Sequence, residues 1–252
     1  MTTSTGQRVA VIIPARFASE RLPGKPLADI HGKPMVVRVL ERAQRARTVD
    51  RVLVATDDPR IADAVKAAGG EAVMTSEHCA TGTDRVAEAA RTLPEDFGII
   101  LNVQGDEPLL DPTALEILCS AFSDAAVKMA TLARALPPSE LSKPQVVKVV
   151  RNRKHDALYF SRAAIPFVRD GGRHEYLGHV GIYGFRREFL YEFAELRSLP
   201  LEKAEKLEQL RALEHGVPIR VLASPYAGFG VDTPEDLEAA RKAFVELPEP
   251  PK

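Results

Sequence analysis

Short apolar segments rich in β-branched residues alternate with segments of helical periodicity, and this alternation constrains the fold more than any other feature. A strand buried on both faces is predicted over RVAVIIPAR (8–16), because its apolar residues run on without alternating. Further strands are predicted over RVLVATD (51–57), EAVMT (71–75) and GIILNVQGD (98–106), with helical patterns between them. The alternation predicts an α/β fold with a mainly parallel sheet and helices on both faces.

The alternation of strands and helices ends at about residue 128. Four strand-like pieces follow with little helix between them: VKMATLARAL, QVVKVV, ALYFSRA and HVGIYGF. They predict an excursion of antiparallel or mixed strands over about 128–185 within one domain that spans 1–252. A single helix is predicted over 201–215, with Leu207, Leu210 and Leu213 along one face, followed by a strand and a capped last helix.

Charge and cysteine content exclude several classes of protein. Lys and Arg total 34 against 35 for Asp and Glu, so no overall basic field exists to hold a nucleic acid. Cys79 and Cys119 form no CxxC or zinc pattern, which favours a reducing compartment. The first residues are polar, and no apolar run approaches the ~20 residues of a membrane-spanning helix. We therefore expect a cytoplasmic protein with no membrane insertion.

Three cations follow the first predicted strand: Arg16, Arg21 and Lys25. The chain has no GxxxxGK[ST] loop, and the absence of GxGxxG removes the main case for a dinucleotide oxidoreductase. Arginine offers a bidentate fork and lysine a point charge, which together suit a diphosphate or triphosphate. A solvated surface loop is the alternative interpretation.

Two carboxylates lie where a divalent cation could use them. Asp106 follows the predicted central strand, and Gly105 before it allows a close turn. Magnesium usually takes one or two carboxylates together with substrate phosphates, so Asp106 fits better than a simple turn cap. Glu107 is the adjacent alternative. Asp232 precedes a helix cap that does not itself need this residue, and it is the candidate for a second ligand.

A polar set in the second half of the chain could recognise an acidic sugar. Taken singly, each of these residues is also typical of a surface or structural position. The sequence shows no HExxH, GxSxG or Cys-His signature, so covalent catalysis has no support. The set comprises Arg162, His179, Tyr183, Glu208 and Gln209.

Several motifs occur in an order that carries a family resemblance. They are VIIPARFASERLPGKPLADIHGKPM, VATDD, AGGEAVMT, TGTDR, NVQGDEP, YFSRAAIP, GIYGFR, LEQLRALEHG and GVDTPEDLE. From about residue 8 to 245, the chain resembles the 3-deoxy-manno-octulosonate (Kdo) cytidylyltransferase family, the CMP-Kdo synthetases. The opening motif is shared with CMP-sialic acid synthetases, whereas LEQLR together with GVDTPEDLE is more specific.

The resemblance implies transfer of CMP from CTP to the anomeric hydroxyl of Kdo, with release of pyrophosphate, for lipopolysaccharide biosynthesis. It further implies a Rossmann-like nucleotidyltransferase fold, Mg²⁺ as cofactor, and a homodimer to which the 128–185 excursion contributes. Two alternatives stay open. One is a cytidylyltransferase for a related acid sugar, such as sialic acid or amino-Kdo, and the other is a non-catalytic nucleotide-binding regulator.

The same resemblance assigns roles to residues of this sequence. Arg16, Lys25, Asp106 and Asp232 would be catalytic, and the last two would bind the metal. The nucleotide would be held by Arg16, Arg21, Lys25, Arg85 and Asp106. The sugar would be contacted by Gln104, Arg162, His179, Tyr183, Glu208 and Gln209.

Overall fold

A computed structural model describes residues 6–18, 22–170, 172 and 174–246, with backbone alone at 246. The strands in this part of the chain are β1 (Val9–Ala15), β2 (Asp29–Ile30), β3 (Lys33–Pro34), β4 (Arg51–Thr56), β5 (Glu71–Met74), β6 (Ile99–Asn102), β7 (Met129–Ala135), β8 (Lys148–Arg151), β9 (Ala157–Ser161), β10 (Leu177–Arg186) and β11 (Ile219–Ala223). The α-helices are α1 (Met35–Ala43), α2 (Pro59–Ala67), α3 (Gly82–Ala90), α4 (Pro112–Ser120), α5 (Arg187–Glu195), α6 (Pro200–Glu205), α7 (Leu210–Glu214) and α8 (Pro234–Glu246).

The central sheet has the strand order β11-β7-β10-β6-β1-β4-β5. Strands β6, β1, β4 and β5 are mutually parallel, β11 is parallel to β7, and β10 is antiparallel to both of its neighbours. The predicted mainly parallel sheet is therefore confirmed. The predicted mixed strands are also observed, because β8 pairs antiparallel with both β9 and β10. Their contribution to a dimer stays a prediction.

Strand β1 lies at the centre of the core and is covered on both faces, as its unbroken apolar run predicts. Val11 and Ile13 pack in a cluster with α1, α2 and α4, whereas Ile12 packs in a second cluster with α3, α5 and α7. All three side chains are fully buried. Burying a side chain of this kind contributes about 1.5–3 kcal/mol, so the strand is firmly fixed and its carboxyl end is a rigid support.

Local signals set the helix starts. The side chain of Asp58 accepts a hydrogen bond from the N–H of Arg60, and Pro59 occupies the first turn of α2, as the sequence predicts. Thr81 and Asp84 form a reciprocal capping box at the start of α3. The starts of α2, which follows β4, and of α3 are thereby fixed by local hydrogen bonds.

The prediction of a single helix over 201–215 is wrong. Helix α6 ends at Glu205, Lys206 adopts a left-handed backbone conformation (φ 53°), and α7 starts only at Leu210. The guanidinium of Arg162 donates hydrogen bonds to the carbonyls of Glu205 and Lys206, which removes these carbonyls from a continuing helix. The break buries Leu207 and turns the residues that follow it toward α3.

Helix α8 packs on the β2–β3 hairpin through a small core of its own. This satellite core contains Ile30, Met35, Val231, Leu237 and Ala240, all buried. Two hydrogen bonds clasp the hairpin to the helix: His31 Nε2 with the carbonyl of Arg241 at 2.7 Å, and Arg241 Nε to the carbonyl of Asp29 at 2.9 Å. The chain segments that lead to Lys25 and Asp232 are thus held together. Among the described helices, none has the length and apolarity needed to span a bilayer.

Candidate active site

A cleft lies beyond the carboxyl ends of β1 and β6. These two strands are neighbours and parallel, so the residues that follow them meet at one edge of the sheet. Gly105 is required there, because a Cβ at this position would lie 2.9 Å from the carbonyl oxygen of Pro14. The described lining comprises Pro14, Ala15, Arg16, Ala18, Lys25, Pro26, Gln104, Gly105, Asp106 and Asp232.

The ammonium group of Lys25 lies between two carboxylates in this cleft. Its Nζ is 2.6 Å from Oδ2 of Asp106 and 3.1 Å from Oδ1 of Asp232. Gly24, with φ 69°, turns the chain into the short 3₁₀ segment that presents Lys25. Burial alone would lower the pKa of Lys25, but the two carboxylates outweigh it and raise the pKa, so the ammonium stays charged.

Asp106, and not Glu107, is the carboxylate that lines the cleft. The side chain of Glu107 is buried, and its Oε2 accepts a hydrogen bond of 2.7 Å from the hydroxyl of Tyr226. Burial raises the pKa of Glu107 to about 7, with a smaller contribution from the charge of Asp106. The sequence favoured Asp106 with Glu107 as the alternative, and the buried position of Glu107 supports that preference.

Arg16 lies in the cleft, and its guanidinium reaches across to the loop before α3. Its Nη2 donates hydrogen bonds to the carbonyls of Cys79 and Thr81, the latter at 3.1 Å. Arg21, the third predicted cation, lies outside the described residues. The structure therefore brings together Arg16 and Lys25 of the predicted phosphate-binding cations.

Arg85 does not line the cleft. Its side chain is fully buried, and it donates hydrogen bonds to the carboxylate of Asp57 and to the hydroxyl of Thr75. The nucleotide-binding role that the resemblance implied for Arg85 stays a prediction. In the structure, Arg85 reaches the edge of the site only through Asp57, which follows β4 directly.

A row of polar side chains leads from the cleft to Glu208. Gln104 Nε2 donates to Asn102 Oδ1 at 3.4 Å, Asn102 Nδ2 donates to Thr83 Oγ1 at 3.3 Å, and Thr83 Oγ1 donates to Glu208 Oε2 at 2.5 Å. Sequence reasoning did not single out Asn102 or Thr83. The available signal was weak: a polar residue that ends a buried strand, and a threonine inside TGTDR.

Two polar atoms at the end of this row are buried without a hydrogen-bond partner. They are Oε1 of Glu208 and Nε2 of Gln209. The nearest cation to Oε1 is Nη2 of Arg211 at 3.8 Å, beyond hydrogen-bond distance. Burial raises the pKa of Glu208, and the hydrogen bond from Thr83 partly offsets this effect. A buried acceptor and a buried donor without partners are what a polar ligand would complete.

The other predicted sugar residues divide into two groups. Tyr183 lies beside His179, with ring centroids 5.4 Å apart, and both burial and the charge of Glu208 raise its pKa. His179 Nε2 is hydrogen-bonded to Thr131 Oγ1 at 2.9 Å, and burial lowers the pKa of this histidine to about 3. The guanidinium of Arg162 is instead occupied by backbone carbonyls, among them that of Pro144.

The chemistry of the cleft fits Mg²⁺. Asp106 and Asp232 supply hard oxygen ligands, and the Lys25 ammonium between them shows that this position attracts positive charge. In the described ranges, no group of three or more His, Cys, Asp or Glu side chains forms a metal cage. A two-carboxylate site leaves room for substrate phosphates, as Mg²⁺ sites commonly do.

Together, the parallel sheet, the cations after β1 and the paired carboxylates define a nucleotidyltransferase-type site. A family model described as cytidylyltransferase matches residues 10–219. A 3-deoxy-manno-octulosonate cytidylyltransferase of Anaeromyxobacter sp. (strain Fw109-5) is 58% identical over 96% of this chain and 99% of its own. The one of Myxococcus xanthus (strain DK1622) is 54% identical over 92% and 94%. The chain belongs to the 3-deoxy-manno-octulosonate cytidylyltransferase family, as its motifs predicted.

Solved structures agree with the assignment. CMP:2-keto-3-deoxy-manno-octonic acid synthetase complexed with CTP superposes with a TM-score of 0.91 at 45% identity, over 95% of this chain and 99% of that one. A 4-diphosphocytidyl-2C-methyl-D-erythritol synthase from Anaerococcus prevotii superposes with a TM-score of 0.64 at 15% identity, over 96% and 98%. The second similarity concerns the fold alone, and it confirms the predicted nucleotidyltransferase architecture.

Proposed function

We propose that this protein transfers CMP from CTP to the anomeric hydroxyl of Kdo and releases pyrophosphate, for lipopolysaccharide biosynthesis. The observation that carries the proposal is the position of the Lys25 ammonium in the cleft beyond β1 and β6, 2.6 Å from a carboxylate oxygen of Asp106 and 3.1 Å from one of Asp232. The relatives named above and the related synthetase with bound CTP support the choice of substrates.

Lys25 and Arg16 hold the phosphates of CTP in this proposal. Both are cations that line the cleft at the end of a rigid strand. Phosphoryl-type transfer asks the protein mainly for positioning and charge stabilisation, and the negative charge that matters here builds on the departing pyrophosphate. Lys25 therefore exchanges its carboxylate partners, at least in part, for phosphate oxygens when CTP binds.

Asp106 and Asp232 would hold Mg²⁺, which supplies charge neutralisation at the phosphates and lowers the pKa of the attacking sugar hydroxyl. The ionisable residues in the described lining of the cleft are Arg16, Lys25, Asp106 and Asp232. None of them is a histidine or cysteine that could act as base or nucleophile near neutral pH. In this proposal the described side chains of the cleft act by binding and orientation.

The acid sugar occupies the end of the polar row that starts at Gln104. Oε1 of Glu208 is an acceptor suited to a sugar hydroxyl, and Nε2 of Gln209 is a donor suited to a carboxylate or hydroxyl oxygen. Tyr183 and His179 flank this region. Arg162 takes part by fixing the turn after α6 that presents Glu208, and direct contact with the sugar stays a prediction.

The mixed strands supply the contact of a homodimer in the same proposal. Leu158 on β9 is 61% exposed and Phe167 is 86% exposed. A second copy of the chain packed on these large apolar side chains would bury them. Light scattering of wild type and Phe167→Asp tests this, with a dimer expected for wild type and a monomer for the variant.

A cytoplasmic location is proposed because Cys79 and Cys119 are free thiols.

The experiment that tests the proposed function is pyrophosphate release from CTP and Mg²⁺, with and without Kdo. Release that depends on Kdo and stops with EDTA is expected. Pyrophosphate release with amino-Kdo or sialic acid but not with Kdo would keep the proposed reaction and change the proposed sugar substrate. Measurable CTP binding without release for any acid sugar would contradict the proposal and favour a nucleotide-binding regulator.

A further inference from the structure

The hydroxyl of Tyr226 stands between the two loops that carry the paired carboxylates. It donates a hydrogen bond of 2.7 Å to Oε2 of Glu107. Tyr226 is 9% exposed and Glu107 is 6% exposed, so this hydrogen bond lies away from water. The bond therefore joins the residue next to Asp106 to the segment that leads from β11 to Asp232.

A second link joins the same two loops. The backbone N–H of Val231 donates to the carbonyl oxygen of Asp106 at 2.9 Å. The hydroxyl link lies one residue after Asp106, and the backbone link involves Asp106 itself and the residue before Asp232. The separation of the two carboxylates is thus fixed from both sides, once by main chain and once by a tyrosine side chain.

The tyrosine is itself held rigidly. Its backbone N–H donates to Oγ of Ser224 at 3.2 Å, and the N–H of Ser224 donates to the carbonyl of Ala133 on β7 at 2.9 Å. These two hydrogen bonds fix the position of Tyr226 relative to the central sheet.

Core packing alone does not explain the pair. A phenylalanine would fill the same space as Tyr226, and an apolar residue in place of Glu107 would avoid the cost of burying a carboxyl group. A buried Glu–Tyr pair offsets its desolvation only if the hydrogen bond is fully formed. The pair lies close in sequence to both Asp106 and Asp232, so the bond can hold these two carboxylates in place.

We infer that Tyr226 is a positioning residue for the divalent-cation site formed by Asp106 and Asp232. The inference rests on the proposed function, because it assumes that these carboxylates bind Mg²⁺. Groups that orient metal ligands commonly govern affinity without touching the metal, and their loss costs about tenfold or more. Loss of the Tyr226 hydroxyl frees the loop before Asp232 and leaves the two carboxylates less well spaced for one cation.

The test compares Tyr226→Phe with Tyr191→Phe. The control also loses one hydroxyl, which accepts a hydrogen bond of 2.8 Å from Arg187 Nε on α5, outside the cleft. Mn²⁺ binding without substrates is measured by electron paramagnetic resonance, and pyrophosphate release is measured against Mg²⁺ concentration. Thermal unfolding of both variants shows whether either one is folded less well than wild type.

Tyr226→Phe is expected to weaken Mn²⁺ binding and to raise the half-saturating Mg²⁺ concentration about tenfold. The KM for the sugar should change less than about twofold, because Tyr226 is not among the residues proposed to contact the sugar. Tyr191→Phe should match wild type. Wild-type metal dependence in Tyr226→Phe would overturn the inference, as would an equal shift in both variants. Failure of the proposed function is distinguishable, because wild type itself would then release no pyrophosphate.

Discussion

Lys25 and Asp232 lie 207 positions apart in the sequence, yet Nζ of the lysine is 3.1 Å from Oδ1 of the aspartate. Asp106 contacts the same ammonium from a third segment of the chain. One positive charge therefore holds two carboxylates that would otherwise repel each other. Because a divalent cation would be attracted by the same two carboxylates, the lysine and the cation are electrostatically exchangeable at this point.

Lys25→Met should make the protein more responsive to divalent cations. Loss of the ammonium leaves Asp106 and Asp232 without their shared partner and lowers the free energy of unfolding by about 1–3 kcal/mol without metal. Mg²⁺ should then raise the melting temperature more in the variant than in wild type, although turnover falls because a phosphate contact is lost. Lys33→Met, which removes a surface ion pair with Glu41, is the matched control and should show wild-type Mg²⁺ stabilisation. Equal Mg²⁺ stabilisation of Lys25→Met and wild type would contradict this prediction.

Asp106→Asn should lower kcat by about a hundredfold or more and leave the fold intact, because the variant keeps the shape of the side chain and loses the charge that binds Lys25 and the metal. The rate of pyrophosphate release and the far-ultraviolet circular dichroism spectrum measure the two effects. Asp96→Asn is the control, since Asp96 pairs with Arg8 on the surface at 3.3 Å. Near-normal turnover of Asp106→Asn would show that Asp106 is not a metal ligand.

Glu208→Gln should raise the KM for the acid sugar about tenfold, which corresponds to the loss of one hydrogen bond to a charged group. The KM for CTP should stay within about twofold, because Glu208 reaches the cleft only through Thr83, Asn102 and Gln104. Steady-state kinetics with each substrate varied in turn separates the effects. Glu188→Gln on the exposed face of α5 serves as control. A defect confined to CTP would remove Glu208 from the sugar site.

His179 should make the fold less stable in mild acid. Burial lowers its pKa to about 3 in the folded state, whereas the unfolded chain has an ordinary value near 6.5. The unfolded state therefore binds the proton first, and the contribution of this residue to stability is lost progressively as the pH falls below about 6.5. At pH 5 the loss is about 1–2 kcal/mol.

Urea denaturation of wild type and His179→Phe at pH 7.5 and pH 5 measures this contribution. The wild-type free energy of unfolding should fall more between the two values of pH than that of the variant, because the variant has no imidazole to protonate. Identical pH dependence of the two proteins would show that His179 is accessible to protons in the folded state.

Signals that lie close together in the sequence predicted their structures well. Asp58 and Pro59 mark the start of α2, because capping and proline geometry act within one turn. Arg16 and Asp106 were predicted as site residues for a different reason. Each follows a buried strand, and the carboxyl ends of parallel strands lie at one edge of a sheet. This prediction did not require the order of the strands.

Contacts between distant segments could not be predicted in the same way. Glu107 and Tyr226 are 119 positions apart, and Thr83 and Glu208 are 125 apart, so no spacing in the sequence relates them. The prediction of one helix over 201–215 failed for a similar reason, because Arg162, which follows β9, bonds to the carbonyls at the break. The ion pair between Arg85 and Asp57 likewise joins residues 28 positions apart.

The satellite core between α8 and the β2–β3 hairpin has a consequence for the order in which the enzyme is made. Asp232 is the 207th residue that the ribosome adds after Lys25. Helix α8, which holds Asp232 in register through Leu237 and Ala240, emerges later still. A nascent chain can therefore complete its central sheet before Asp232 joins Asp106 and Lys25, so the cleft is completed only when α8 is made and not when the core forms.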